Sequence, residues 1–364
     1  DPSAALNFYN ISLRLNPNNV VSLNRCGVIE QKAGKLDAAR RHFKASLGIE
    51  PSNPKSNLNL GVVELLSKNI LSAIDYFRTA IGLDPEFGDA YFNLGNAEQE
   101  LEQFHQAIGN YHKAITIKPN FIEAIYNLGI AYKETGDLSS AVGCFKDALE
   151  IDEYYLPALN NMSNCLSGLM EYDTALAHLN KALEKDPNFI NALVNQGNCY
   201  KELGHFEEAI KSYQKVIELN PTHAEAKFNL STVYLLKGNY SSGLALYEYR
   251  LIKMKPSVRP PRKNYAWDGN VSIKGKTVCV YEEQGLGDLI QFSRYLLTLE
   301  HLGAKVVLYC KPRMHALLRS ISQNIEIIAK FEDKLHIDYE VPLMSLPYLL
   351  SLHLDRLPDY ESYL

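Results

Sequence analysis

No run of about 18 consecutive apolar residues occurs in the 364 residues, so no helix of the length needed to span a bilayer is encoded. No signal peptide is visible, and an initiator Met is missing. Basic charge is in deficit: 37 Lys and Arg against 42 Asp and Glu give a formal net charge of −5, which leaves no positive surface for nucleic acid. Cysteine is sparse and unpaired. Cys26, Cys144, Cys165, Cys199, Cys279 and Cys310 form no C-x-x-C motif and fall in helical or strand patterns. They read as small buried hydrophobes in a reducing, cytoplasmic setting, with no metal site and no disulfide framework. Tryptophan occurs once, at Trp267. What is abundant is apolar material, 46% of residues, laid out along a repeat instead of around one centre.

Gly88 to Phe121 is the unit of that repeat. It holds two short runs with apolar or small residues at i, i+3 and i+4 spacing, joined near Glu102-Gln103 and closed by Lys118-Pro119. The same punctuation returns at intervals of 34 residues at Pro17, Pro51, Pro85, Pro119, Pro187 and Pro221, with Glu153 out of pattern. Glycines keep the beat at Gly27, Gly61, Gly95, Gly129 and Gly197, replaced by Ser163 and Ser231 in two copies. Small residues recur at Ala39, Ala73, Ala107, Ala141, Ala175 and Ala209, with Gly243 last. Aromatics follow four positions later at Phe43, Phe77, Tyr111, Phe145, Tyr213 and Tyr247, with Leu179 the exception.

This order of small, aromatic and Pro positions resembles the tetratricopeptide repeat, which implies a mostly α fold, a right-handed α-solenoid. Seven full repeats fit from Val20 to Ser257. Residues 1–19 read as the second helix of an eighth, because Ala5, Tyr9 and Pro17 fall on the beats. A chain that opens inside a unit is expected to be a fragment or a processed product, with a first helix that lacks its partner.

In such an array the first helix of every unit lines one face, and function is sought there. Two positions before each Gly beat stands Asn59, Asn93, Asn127, Asn161, Asn195 or Asn229, and only Arg25 breaks the run. Two readings of this series stand side by side: repeat consensus that ties local backbone or water, or a ladder that holds an extended polypeptide. The second uses the amide's paired donor and acceptor to grip peptide backbone whatever the side chains. With helices roughly 8–10 Å apart and about 3.3 Å per extended residue, one Asn meets every third peptide residue. The series resembles the ladder that lines the repeats of eukaryotic protein O-GlcNAc transferases. Phe92, Tyr126 and Phe228 precede it by one position, and Asn96, Asn164 and Asn198 follow by three, giving a groove of mixed polar and aromatic character. A clamp for C-terminal carboxylates is disfavoured, because the sites equivalent to Lys55 are Asp89 and Glu123.

After a long second helix expected in YSSGLALYEYRLIKM, Lys255-Pro256 and Arg259-Pro260-Pro261-Arg262 break the pattern, and residues 258–276 read as a linker whose Trp267 anchors packing. Residues 277–364 then read as a small α/β domain: strand Thr277–Glu282, helix Asp288–His301, strand Lys305–Cys310, helix Pro312–Ile321, strand Ile325–Ala329. Parallel sheets place ligands at the carboxyl end of the first strand, here the loop Glu283, Gln284, Gly285, Leu286, Gly287, Asp288. Ile290 and Tyr309-Cys310-Lys311 stand where a dinucleotide fingerprint needs a small residue and an acid, and no Gly-Lys-Ser/Thr follows for a P-loop.

Trp267-Asp268-Gly269, then EQGLGDLIQFSRYL from Glu283, then Leu302 to Val307, and finally VPLMSLPYLL from Val341, resemble the bacterial tetratricopeptide proteins that carry a heptosyltransferase-like glycosyltransferase domain of the GT-B fold. The resemblance implies a Rossmann-like, acceptor-side half-domain, with Asp288 as base on the acceptor hydroxyl and Glu283, Gln284, Gly285 and Gly287 around it. It also implies a nucleotide-sugar donor held by a second half that this chain lacks, so the chain alone is expected to be inactive. The function expected is a scaffold, residues 1–257, that recruits an acceptor polypeptide to a fused glycosyltransferase; the alternative is a non-catalytic adaptor. As a plain local motif, Asp288 with Gln291 three residues on reads as a capping box, and Gly285 and Gly287 as residues that permit a turn.

Overall fold

The computed structural model describes residues 2–253, 266–283, 285–330 and 335–351. The chain divides into two compact units, Asp1–Asn195 and Gln196–Leu364. In the first, α1 (Pro2–Leu15) is followed by helix pairs joined through short turns: α2 (Val20–Lys32) with α3 (Leu36–Ile49), and α4 (Pro54–Leu66) with α5 (Ile70–Leu83). Then come α6 (Gly88–Glu100) with α7 (Phe104–Ile117), α8 (Ile122–Glu134) with α9 (Leu138–Ile151), and α10 (Leu156–Gly168) with α11 (Tyr172–Lys185). Next is α12 (Ile190–Glu202), and the repeats end in α13 (Phe206–Leu219), α14 (Ala224–Leu236), α15 (Tyr240–Tyr247) and α16 (Arg250–Lys253).

Each beat read from the sequence has a packing cause. Ala39, Ala73, Ala107, Ala141, Ala175 and Ala209 are fully buried between the helices of their pairs. A Cβ built on Gly27, Gly61, Gly95, Gly129 or Gly197 would lie 2.5–2.7 Å from the ring of Phe43, Phe77, Tyr111, Phe145 or Tyr213. The glycine is therefore the socket for the aromatic, and Ser163 replaces it where the facing residue is the smaller Leu179. A further beat closes the first helix of every pair. Gly34, Lys68, Glu102, Gly136, Met170, Gly204 and Gly238 all have φ between 58° and 85°, the left-handed conformation that ends a helix. Three of those seven are not glycine, which hides the series from a reading that looks for glycines.

The second unit adds a four-stranded parallel sheet: β1 (Thr277–Tyr281), β2 (Lys305–Tyr309), β3 (Glu326–Ile328) and β4 (Tyr339–Pro342), in the order β3-β2-β1-β4. Val278 is registered with Val306 on one side and Tyr339 on the other, so the order reverses at β1. The helices here are α17 (Leu286–Ser293), α18 (Tyr295–His301), α19 (His315–Leu318) and α20 (Leu346–Leu349). Trp267 is 6% exposed, packs in the core with Val278, Val280, Leu296, Val341 and Leu346, and donates from Nε1 to Val271 O at 2.9 Å. It is the anchor expected of it. Gly269 beside it has φ 81°, and a Cβ there would meet Leu349 O at 2.5 Å, so only glycine closes this turn.

Four expectations change. The helix expected over YSSGLALYEYRLIKM breaks at Glu248-Tyr249, and α16 begins with a buried Arg250. The helix expected over Asp288–His301 begins at Leu286 and is divided at Arg294. Only Pro312–Met314, as a 3₁₀ turn, and the four residues of α19 are helical in the stretch Pro312–Ile321. Finally, β4 adds a strand, Tyr339–Pro342, that runs into the segment read from Val341 only for its resemblance. All six cysteines are buried and none is in a disulfide, and burial pushes the Cys144, Cys279 and Cys310 thiols up to about 12.

Candidate functional site

The Asn series lies on the first helix of each pair, partly buried except for Asn229, which is buried. Its amides tie neighbouring repeats together. Asn127 Nδ2 donates to Asn96 Oδ1 at 2.8 Å, Asn161 Nδ2 to Tyr126 Oη at 2.9 Å, and Asn195 Nδ2 to Asn160 Oδ1 at 2.9 Å. Asn229 Nδ2 donates to Asn198 Oδ1 at 3.0 Å. Asn93 turns back to its own helix, donating to Asp89 O at 2.8 Å, and the Asn59 side chain makes no hydrogen bond to any described residue. Four rungs thus each commit one N–H to the preceding repeat, and Asn161 gives its other N–H to Pro157 O at 3.0 Å while its Oδ1 accepts from Lys133 Nζ at 3.5 Å. The Phe92 ring lies tilted against Phe121 at 4.7 Å and stands 6.1 Å from Tyr111, while Tyr126 stands 5.5 Å from Tyr155 and 5.7 Å from Phe145. Both rings are half-buried packing surfaces.

The loop after β1 carries the second group of residues. The N-cap of α17 is Gly285, so Asp288 sits in the first turn and not at the cap. Its capping-box reading falls, and a first-turn carboxylate instead meets the positive helix end, worth about 0.3–1 kcal/mol. Gly285 has φ −69° and Gly287 is not in the left-handed region, so neither glycine is needed for the turn. A Cβ on either would meet nothing within 4 Å. The fold tolerates side chains there, and their absence keeps the approach to Asp288 open. Gln284 lies outside the described residues.

Glu283 is placed elsewhere. Its carboxylate accepts from Arg250 Nε at 3.1 Å and Nη2 at 2.9 Å, and from Met344 N at 3.0 Å. Arg250 Nη2 also donates to Ser345 Oγ at 2.8 Å, and Nη1 to Glu248 Oε1 at 2.7 Å and Tyr247 O at 3.3 Å. Ser345 closes the ring by donating to Glu248 Oε2 at 2.8 Å. All five guanidinium N–H groups are used, as a side chain 1% exposed requires. Together the two carboxylates and these bonds raise the Arg250 pKa against the burial that alone would lower it. The terminal repeat is thereby pinned where the strand order reverses, between the loops that follow β1 and β4. Glu282, also buried, holds the loop after β2 by accepting from Lys311 N at 3.2 Å. Sequence reasoning missed Arg250, whose partner lies 33 residues away with only its place in an apolar helix as a signal.

Among the described residues no group of His, Cys, Asp and Glu is arranged to hold a metal ion, and no helix is long and apolar enough to cross a membrane.

Models of the tetratricopeptide repeat match residues 27–87, 122–155 and 190–223, and a further model of the same repeat matches 95–136. Among solved structures the chain is similar to MamA, at 32% identity over 42% of this chain and 90% of that one, with a TM-score of 0.39. YrrB, described as a tetratricopeptide protein with an unusual peptide-binding site, is 22% identical over 50% and 95%, with a TM-score of 0.46. PilF of Pseudomonas aeruginosa is 18% identical over 57% and 95%, with a TM-score of 0.52. No curated protein matches the chain.

Proposed function

Because this chain is a tetratricopeptide-repeat protein, we propose that it is a protein-binding scaffold whose repeats hold an extended polypeptide, and that the α/β portion is the acceptor-side half of a glycosyltransferase site. The observation that carries the first part is the amide that recurs at one position of the first helix in six repeats. Half-buried and braced against their neighbours, such amides are held in one orientation, and a pre-oriented group loses less entropy on binding. The second part rests on the resemblance, supported by two glycines the fold does not need beside a first-turn carboxylate. There a hydroxyl of the bound polypeptide would lose its proton to Asp288 as its oxygen bonds to the anomeric carbon of a nucleotide-sugar donor, while the bond from that carbon to the nucleotide phosphate oxygen breaks and the nucleotide leaves with the electron pair.

Selection of binders from a random dodecapeptide library tests the scaffold. Binding should survive Ala scanning of the peptide but fall on backbone N-methylation, and it should fall when Asn93, Asn127, Asn161 and Asn195 are changed to Ala. Insensitivity to N-methylation sinks the backbone-ladder reading. For Asp288, the Asn variant, in a protein that supplies a sugar-nucleotide half, should lower turnover by about 10²–10⁴-fold with little change in stability. Full turnover would leave Asp288 a helix-end charge. A non-catalytic adaptor is the second reading, favoured by the Arg250–Glu283 pair, which devotes a residue of the β1 loop to holding the terminal repeat.

A further inference from the structure

An open pocket of about 340 Å³ lies on the first-helix face of the third repeat, lined by Leu65, Asn96, Gln99, Glu100 and Asn127. We propose that it is a subsite for a neutral hydrogen-bond acceptor of the bound polypeptide, a backbone carbonyl or a carboxamide oxygen, and that Tyr111 sets its polarity. This rests on the peptide-binding reading of the groove and names what one part of it selects.

Tyr111 is fully buried, and its hydroxyl is shared between Asn96 Oδ1 at 2.8 Å and Gln99 Oε1 at 3.1 Å. Asn127 Nδ2 gives Asn96 Oδ1 its second bond at 2.8 Å. Both lone pairs of that oxygen are taken, and both carboxamide oxygens are turned toward the core. What the wall then offers is Asn96 Nδ2 and Gln99 Nε2, neither of which donates to any described residue, two amino groups with two N–H each. Burial raises the Tyr111 phenol, so it remains a protonated donor and the orientation holds. These lining residues include no cation for an anion, and their one carboxylate, Glu100, is paired with Lys68 at 2.9 Å.

Comparison between repeats isolates this feature from packing. Where the aromatic beat is Phe43, Phe77 or Phe145, the residue after the Gly beat is Val28, Val62 or Ile130. Where it is Tyr111 or Tyr213, that residue is Asn96 or Asn198, and Tyr213 Oη donates to Asn198 Oδ1 at 2.7 Å; in the two repeats whose Gly beat is serine the pairing does not hold, with Thr232 beside Ser231 and Tyr247, and Asn164 beside Ser163 and Leu179. Packing alone is met by the Phe–aliphatic pair. The Tyr–Asn pair buries more polar atoms for the same socket, and what it adds is a fixed pair of donors at the surface.

The double substitution Tyr111→Phe/Asn96→Val rebuilds in the third repeat the Phe77/Val62 pair of the second, so it should fold with an unchanged urea midpoint. Two measurements on the full chain then test the pocket. Titration with N-methylacetamide, followed by the ¹⁵N side-chain amide signals, should move Asn96 and Gln99 in the native protein, and acetate should not. No shift with N-methylacetamide, or a larger shift with acetate, overturns the assignment. For a dodecapeptide selected on the native protein, the double variant should lose about tenfold in affinity, the scale of one or two neutral hydrogen bonds. Unchanged affinity overturns it too. If no peptide binds the native protein, the groove reading fails, while the N-methylacetamide titration still decides the pocket.

Discussion

At Gly95 one hydrogen separates a tight contact from an overlap, because a Cβ would sit 2.7 Å from the ring of the fully buried Tyr111. Gly95→Ala forces the ring out of its socket and should destabilise by about 1–3 kcal/mol, as overpacked cores do. Gly109, exposed on α7, is the control: a Cβ there meets nothing within 4 Å, and an Ala costs the unfolded chain less freedom to give up. Gly109→Ala should therefore stabilise by about 0.5–1 kcal/mol. Urea melts of the two variants decide it, and a loss at both positions would mean that helix propensity is not what Gly109 limits. The pair shows why two glycines of one repeat, identical on paper, differ in consequence.

The first helices of neighbouring repeats place two buried acids, Glu64 and Glu98, at the same position and give them opposite electrostatics. Burial alone would raise Glu64, but the Arg40 guanidinium at 2.7 Å and the Asn69 amide outweigh it, and the carboxyl lies below the ordinary glutamate range. Burial dominates at Glu98, where Asn110 and the more distant Arg78 only soften it, so this carboxyl lies above that range. The signs follow. Stability from Glu64 is complete above the ordinary glutamate pKa and is lost as pH falls through its lowered one. Stability from Glu98 is complete below the ordinary pKa and is lost as pH rises through its raised one. Relative to the native protein, Glu64→Gln should therefore look worse at about pH 7 than at about pH 4, and Glu98→Gln should look better, by urea midpoint. A common trend for both would refute the assignment. At this scale the pairs of helices were legible in the sequence because Gly, Ala, aromatic and Pro each recur where packing admits little else. The short α/β elements were not. β4 spans four residues next to a 3₁₀ turn, too few for alternation to show, and the break before Arg250 follows from Glu283, Ser345 and Glu248, partners that periodicity cannot supply. The Asn series was visible, but its bonds to the preceding repeat were not, since each joins residues about one repeat apart.

A repeat array couples each unit to its neighbours only, so a lesson about the whole molecule must come from two reporters placed far apart along the chain. Far-ultraviolet circular dichroism follows the helices, most of which belong to repeats, and Trp267, the single tryptophan, follows the sheet core in which it is buried. Ala107 is fully buried in the third repeat, and Ala107→Leu should overpack its helix pair by about 1–3 kcal/mol, lowering and broadening the helical transition. The Trp267 transition should stay in place. Arg250→Ala should do the reverse, because it strands the Glu283 carboxylate, 4% exposed, without its partner, a loss of about 3–5 kcal/mol for a broken buried pair. The fluorescence midpoint should then fall first, ahead of the bulk of the helical signal. Replacing both members, Arg250→Met with Glu283→Leu, removes the buried Glu283 charge and leaves Glu248, 26% exposed, with Ser345 and water, so it should recover part of that loss, which separates the cost of the unpaired Glu283 charge from the worth of the pair. If Ala107→Leu instead shifts the tryptophan transition as far as the helical one, the chain unfolds as one cooperative body, and stability here is not a sum over neighbouring units.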